Sequence, residues 1–249
     1  MHPILFKIGP LTIKTYGLII AIAFLVGTHL ATREAKRKEI EEAVIYDLIL
    51  YLIIFGLIGS RLFYCLYDLG YFIENPLEIF AIWRGGLSFY GGLIGGFIAS
   101  LWFVKSRGLP FLKLADIMAP SLILGQAIGR LGCLMAGCCF GEPANLPWCI
   151  HFSNPDSLAP LYTCLHPTQI YESVLDFCIF LLLFLYRKRA KFTGQLFLVY
   201  VSLYSIIRFF LDFFRGDTVQ IIGWFTLTQA ISFIALSLAL DFYQRLKNY

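Results

Sequence analysis

The sequence predicts an all-α polytopic membrane protein with seven transmembrane helices, the N-terminus outside and the C-terminus cytoplasmic. Hydrophobic residues make up 59% of the 249 and charged residues only 14%, where an average soluble domain carries about 25% charge. Mean hydropathy is +0.74. The apolar residues fall in runs long enough to span a hydrocarbon core, about 17 to 25 residues each, and these runs mostly lack the polar face that a soluble helix keeps toward water. One membrane domain is expected over residues 1–249, with an extracytoplasmic cysteine-containing loop at about 135–168.

The first run, 16–31, is expected to be a retained helix. Residues 1–15 carry only Lys7 and Lys14, and no small-residue cleavage site precedes the basic stretch after Ala31, so a signal peptide is the poorer explanation. Tyr16 opens it as an interfacial aromatic. The second run, 43–66, contains Arg61. The third, 87–104, follows Arg84 and includes Gly91/Gly95 and Gly92/Gly96, small-xxx-small pairs that let helices approach closely. Tyr90 lies at its outer end.

The fourth run, 114–134, closes on Gly129-Arg130-Leu131-Gly132-Cys133. A guanidinium never loses its charge and costs about 2.5 to 3.5 kcal/mol at mid-bilayer even on insertion scales, so Arg130 requires a partner. The loop that follows holds Cys138, Cys139, Cys149 and Cys164 with His151 and His166. Disulfides are expected there if the outer side is oxidising, with the pairing open. Cys-x4-Cys-Cys lacks the paired C-x2-C spacing of a zinc site, so no metal is expected. Cys65 and Cys178, inside helices, read as buried small apolar residues.

The fifth run, 169–186, is introduced by His166-Pro167-Thr168-Gln169-Ile170-Tyr171-Glu172. Thr168 is placed to cap it, and His166 is a packing or capping residue. In the sixth, 194–214, Tyr204, Arg208, Asp212 and Arg215 recur at helical spacing and are expected on one face, with Asp212 holding Arg208. The seventh run is 222–242.

Orientation follows from the basic residues. Thirteen of the 20 Lys and Arg fall in the connections after the first, third and fifth runs and in the tail, and the loop 135–168 has none. Cytoplasmic loops are the basic ones. Depth follows from the helical rise. Arg130 lies 17 residues beyond Lys113 and Arg208 lies 17 beyond Lys191, which is about 25 Å at 1.5 Å per residue. Arg61 stands about 28 Å from Glu42 and Tyr90 about 22 Å from Lys105 by the same measure. Any one arginine could snorkel to headgroups, but three at matching depth favour a shared anionic ligand. A phospholipid phosphate suits the planar donor fork of Arg.

Taken together the chain resembles the bacterial prolipoprotein diacylglyceryl transferases. The resemblance rests on six motifs in family order: Tyr16-Gly17, Gly59 to Tyr64, Gly85 to Gly92, Gly129 to Gly141, His166 to Glu172, and Tyr204 to Arg215. It implies transfer of the diacylglyceryl group of phosphatidylglycerol onto the lipobox cysteine thiol of a preprolipoprotein signal peptide, with release of glycerol phosphate. It further implies a multi-pass protein of the bacterial cytoplasmic (inner) membrane, with no cofactor and no nucleic acid. Arg208, Tyr90 and His166 are the catalytic candidates it gives. Arg130, Arg61, Tyr16, Tyr204, Asp212, Arg215 and Gly141 are the substrate-binding ones.

Two positions depart from that pattern. Many members have His where this chain has Tyr90, and a phenol with an ordinary pKa near about 10 is a poor base at neutral pH. Many also have Asn and Glu where this chain has Cys133 and Cys138. Either Arg208 lowers the substrate thiol's pKa and Tyr90 only orients a group, or His166 or water takes the proton. The rival functions are a membrane thiol-redox protein using the loop cysteines, which lack the usual C-x-x-C centre, and a phospholipid-binding or transport protein without catalysis.

Overall fold

The computed structural model describes residues 1–8, 11–218, 220–223 and 225–248. Among these, six helices are long and apolar enough to cross a membrane: α1 (Thr15–Arg37), α2 (Glu42–Tyr67), α4 (Phe89–Arg107), α5 (Phe111–Ala136), α6 (Thr168–Tyr186) and α7 (Gln195–Leu211), the last continued by a 3-10 turn, Asp212–Phe214. A short α3 (Leu69–Glu74) follows α2. The expected seventh run corresponds to α8 (Leu227–Lys247), which carries Gln229, Ser232, Ser237 and Asp241 and falls outside those six. Two small hairpins were not foreseen. Strand β1 (Ile4–Ile8) pairs with β2 (Leu11–Lys14) ahead of α1, and β3 (Gln220–Ile222) pairs with β4 (Phe225–Thr226) ahead of α8. The second of these delays the last helix by five residues relative to its apolar run.

The outer surfaces of the helices are apolar, with Leu25 72% and Leu185 74% exposed, while Asp116, Glu172, Asp176, Gln195 and Gln229 are buried. This inversion suits a hydrocarbon solvent, which tolerates Leu and excludes unpaired polar groups. Cys178 follows the same logic. It was expected inside but is exposed, because α6 turns Glu172, Asp176, Ile179 and Leu183 inward and leaves Cys178 on the other face. Cys65 is buried as expected.

The chain divides into two compact units, residues 1–31 with 115–249, and residues 32–114. In the second unit the glycines of α2 and α4 pack backbone to backbone. A Cβ on Gly59 would stand 2.4 Å from the Gly91 carbonyl oxygen, and one on Gly95 would stand 2.4 Å from that of Phe55. The small-residue pairs therefore serve close helix approach.

In the first unit Ile123, Ile179, Leu183 and Leu196 form a core between α5, α6 and α7. Asp116 on α5 accepts hydrogen bonds from the Gly194 and Phe197 backbone N–H groups at 2.8 and 2.9 Å. A buried carboxylate thus caps the start of α7, where unpaired amides and the helix dipole favour negative charge. At the other end, α5 stops at Gly137, whose φ of 76° is the left-handed conformation a helix terminus favours. The loop beyond it has its own core of Leu134, Phe152, Ala159 and Leu165. A disulfide joins Cys149 to Cys164.

Candidate functional site

Arg130 has a partner inside the first unit, and it is Glu172. Arg130, in the last two turns of α5, reaches Glu172 in the first turns of α6 at 2.7 Å, and Arg208 of α7 approaches the other oxygen of the same carboxylate at 3.6 Å. The ion pair expected between Arg208 and Asp212 is present at 3.1 Å. Asp212 also accepts a hydrogen bond from Thr226, whose hydroxyl caps α8 in a capping box with Gln229. One chain of charges therefore ties α5, α6 and α7 together and ends on the first residue before α8.

All four of these charged side chains are largely withdrawn from solvent, and two positive charges face two negative ones. The balance explains how they persist there, since a buried ion without a partner is far costlier than a paired one. The donors are not all used. Arg208 Nη1 is buried and makes no hydrogen bond among the described residues, and at 3.6 Å its approach to Glu172 is beyond good hydrogen-bond length. A buried guanidinium nitrogen left without an acceptor is a place where an anionic oxygen gains most.

Other expected residues gather around this chain. Tyr204 lies one turn before Arg208 on α7, close enough to interact electrostatically with Arg130, Arg208 and Glu172. Tyr16 packs beside the turn after Arg130: a Cβ on Gly132 would stand 3.2 Å from its ring. Gly141 crosses directly over His166, where a Cβ would come within 2.5 Å of the His166 carbonyl oxygen and within 2.9 Å of that of Phe214. His166 packs its ring on Phe214, 5.3 Å between centroids. Its Nδ1 is buried with no hydrogen-bond partner among the described residues. It also lines an open apolar cavity of about 650 Å³ with Trp148, Tyr171 and Phe214.

Two local expectations are corrected. Arg215 does not continue the helical face of Tyr204, Arg208 and Asp212. The α-helix ends at Leu211, and Arg215 is extended, bridging Gly141 in antiparallel fashion while its guanidinium binds Asp217 through two hydrogen bonds of 2.9 Å. Thr168 does not cap α6; it is that helix's first residue, and its hydroxyl donates to the Cys139 carbonyl at 2.8 Å.

Arg61 and Tyr90 belong to the second unit. The Arg61 guanidinium donates to the carbonyls of Ile79, Gly85, Gly86 and Glu78 and stacks near the Tyr64 and Phe72 rings. A guanidinium has five N–H donors, and these contacts use four of them among the described residues. Arg61 thereby holds the segment between α3 and α4 in shape. Tyr90, in the first turn of α4, is half-buried with its ring 5.9 Å from that of Phe89.

The bridging role of Glu172 was missed, although Glu172 and Asp176 stand four residues apart in an otherwise apolar run. Intramembrane acids call for cationic partners just as arginines call for acids. Asp176 is buried one turn beyond Glu172 and faces the Gln126 amide.

Comparison with known proteins bears on this arrangement. A family model described as prolipoprotein diacylglyceryl transferase matches residues 3–243. A protein of Trichormus variabilis named phosphatidylglycerol–prolipoprotein diacylglyceryl transferase is 39% identical, the match covering 96% of this chain and 87% of that protein. Proteins of the same name from Bacillus velezensis and Staphylococcus aureus are 37% and 36% identical, over 100% and 99% of this chain and 94% and 90% of theirs.

Proposed function

The chain belongs to the prolipoprotein diacylglyceryl transferase family, and from that premise we propose that it moves the diacylglyceryl group of phosphatidylglycerol onto the lipobox cysteine of a preprolipoprotein. The observation that carries the proposal is the convergence of Arg130 and Arg208 on one buried carboxylate, with Arg208 Nη1 making no hydrogen bond among the described residues.

In this reaction the lipobox thiolate attacks the glyceryl carbon, the carbon–oxygen bond to phosphorus breaks, and glycerol phosphate leaves with its charge increased. Catalysis requires cations that meet that charge where water is excluded. Arg130 and Arg208 supply them in this proposal. The resting cluster is balanced, so a phosphodiester entering it takes the place of Glu172 at Arg208, the longer of the two contacts. Asp212, itself held by Thr226, keeps Arg208 aimed while this happens. The same positive charge favours the thiolate form of the attacking cysteine. Tyr204 and Tyr16 border the cluster, and Gly141 leaves room for the chain crossing above His166.

The seventh span, formed by α8, and the orientation with a cytoplasmic C-terminus are part of the same proposal. They are supported by the basic residues of the connections after α1, α4 and α6. That orientation puts the site toward the outer leaflet of the bacterial inner membrane, where a signal peptide emerges. Complementation of a bacterium depleted of its own transferase tests the activity. Mass spectrometry of a test lipoprotein should show the added diacylglyceryl group, and growth without that modification would refute the assignment.

A further inference from the structure

Three free thiols beside the arginine cluster have no part in the transfer described above. The Sγ atoms of Cys133, Cys138 and Cys139 all lie within 4.8 Å of one another. Their sequence spacing does not suggest this; the fold produces it. Cys133 is in the last turn of α5, Gly137 reverses the chain, and Cys138 and Cys139 return over the helix end. The return is pinned by α6, where Thr168 donates to the Cys139 carbonyl and Gln169 to that of Cys138, each at 2.8 Å. Cys139 holds a φ of 58°, a left-handed conformation that costs a non-glycine residue about 1 to 2 kcal/mol. The loop's other two cysteines are joined to each other, which removes them as ligands.

We propose that Cys133, Cys138 and Cys139 form a three-thiolate site for a thiophilic cation of the Zn(II) or Cu(I) class. At a metal–sulfur distance of about 2.3 Å, three thiolates around one ion stand about 3.8 Å apart in tetrahedral and about 4.0 Å apart in trigonal coordination, within reach of the present spacing by small side-chain rotations. Soft sulfur ligands select these ions over Mg(II) or Ca(II). Zn(II) with three thiolates carries one net negative charge, and Arg130 already donates to Cys139 Sγ at 3.3 Å, so the counter-charge is in place. Given the transferase function, that contact has a consequence. An anionic metal–thiolate centre holds Arg130 and competes with the phosphodiester for it, so the loaded protein transfers more slowly.

The test uses the full-length protein in detergent, with Zn(II) titrated against a chromophoric chelator and free thiols counted by alkylation and mass spectrometry. One Zn(II) per chain is expected to protect Cys133, Cys138 and Cys139 while Cys178 still reacts. Cys138→Ser and Cys139→Ser should each weaken binding by more than about 100-fold, the upper end of what loss of an outer-shell partner costs. Binding no stronger than in the triple serine variant would overturn the site, as would a disulfide among the three in the isolated protein. Zn(II) bound with transfer unaffected would overturn the restraint on Arg130. A metal-free protein that transfers nothing would instead refute the transferase function, and thiol protection would still decide the cation site.

Discussion

Arg130 on α5 and Glu172 on α6 are joined by an ion pair of 2.7 Å, and Glu172 extends its other oxygen to Arg208 on α7. A single carboxylate thereby spaces two guanidiniums that would otherwise repel each other.

Glu172→Gln keeps the shape and removes the charge. Arg208 then keeps Asp212 as its ion-pair partner while Arg130 loses the Glu172 carboxylate, and breaking a buried pair costs about 3 to 5 kcal/mol. Thermal unfolding in detergent should show a clear loss of stability, with transfer falling at least about tenfold. An unchanged melting temperature would mean that the arginines are held by something else.

Arg61→Lys keeps the charge and removes the fork. A compact ammonium cannot reach the four carbonyls that the guanidinium gathers, so hydrogen-exchange protection should fall between Glu78 and Gly86. Affinity for phosphatidylglycerol vesicles should stay within about threefold, a change of less than 1 kcal/mol. Loss of lipid binding without loss of protection would return Arg61 to the phosphate site.

Gly141→Ala places a methyl group 2.5 Å from a carbonyl oxygen of His166, in a segment tied by the hydrogen bonds from Glu142 N–H to Phe214 and from His166 N–H to Glu142. The backbone has to shift, and a displacement near the chemistry costs about 100-fold in rate. Gly70→Ala, with no atom within 4 Å of the added Cβ, is the matched control and should be silent in the same transfer assay.

Tyr90→Phe should retain activity to within a few-fold. The thiol's proton then passes to water, the positive charge of the arginines favouring the thiolate that remains, and the Tyr90 hydroxyl takes no part in the transfer. A loss of about 100-fold or more, the scale of general-base catalysis, would make the phenol the base.

The helices were legible because bilayer length and apolar composition leave few alternatives; five of the seven runs match helices to within about three residues at both ends. The partner of Arg130 was legible only as a requirement. Its identity depends on how α5 and α6 pack, and Glu172 drew notice as the last residue of a motif more than as an acid in an apolar run. The surroundings of Arg61 were not legible, because depth counts residues along one helix and says nothing of the carbonyls a neighbouring segment folds over it. Arg215 misled because helical spacing presumes that the helix continues, and this one ends at Leu211. The gathering of Cys133, Cys138 and Cys139 depends on the turn at Gly137, which no spacing rule captures.

The most direct measurement is diacylglyceryl transfer by Arg130→Ala in vesicles of phosphatidylglycerol, with a lipobox peptide as acceptor and the product read by mass spectrometry. If Arg130 and Arg208 receive the phosphate, the rate falls by at least about 100-fold, the cost of removing one such donor, while the protein remains folded. A folded Arg130→Ala protein that transfers at a near-normal rate would contradict the phosphate site.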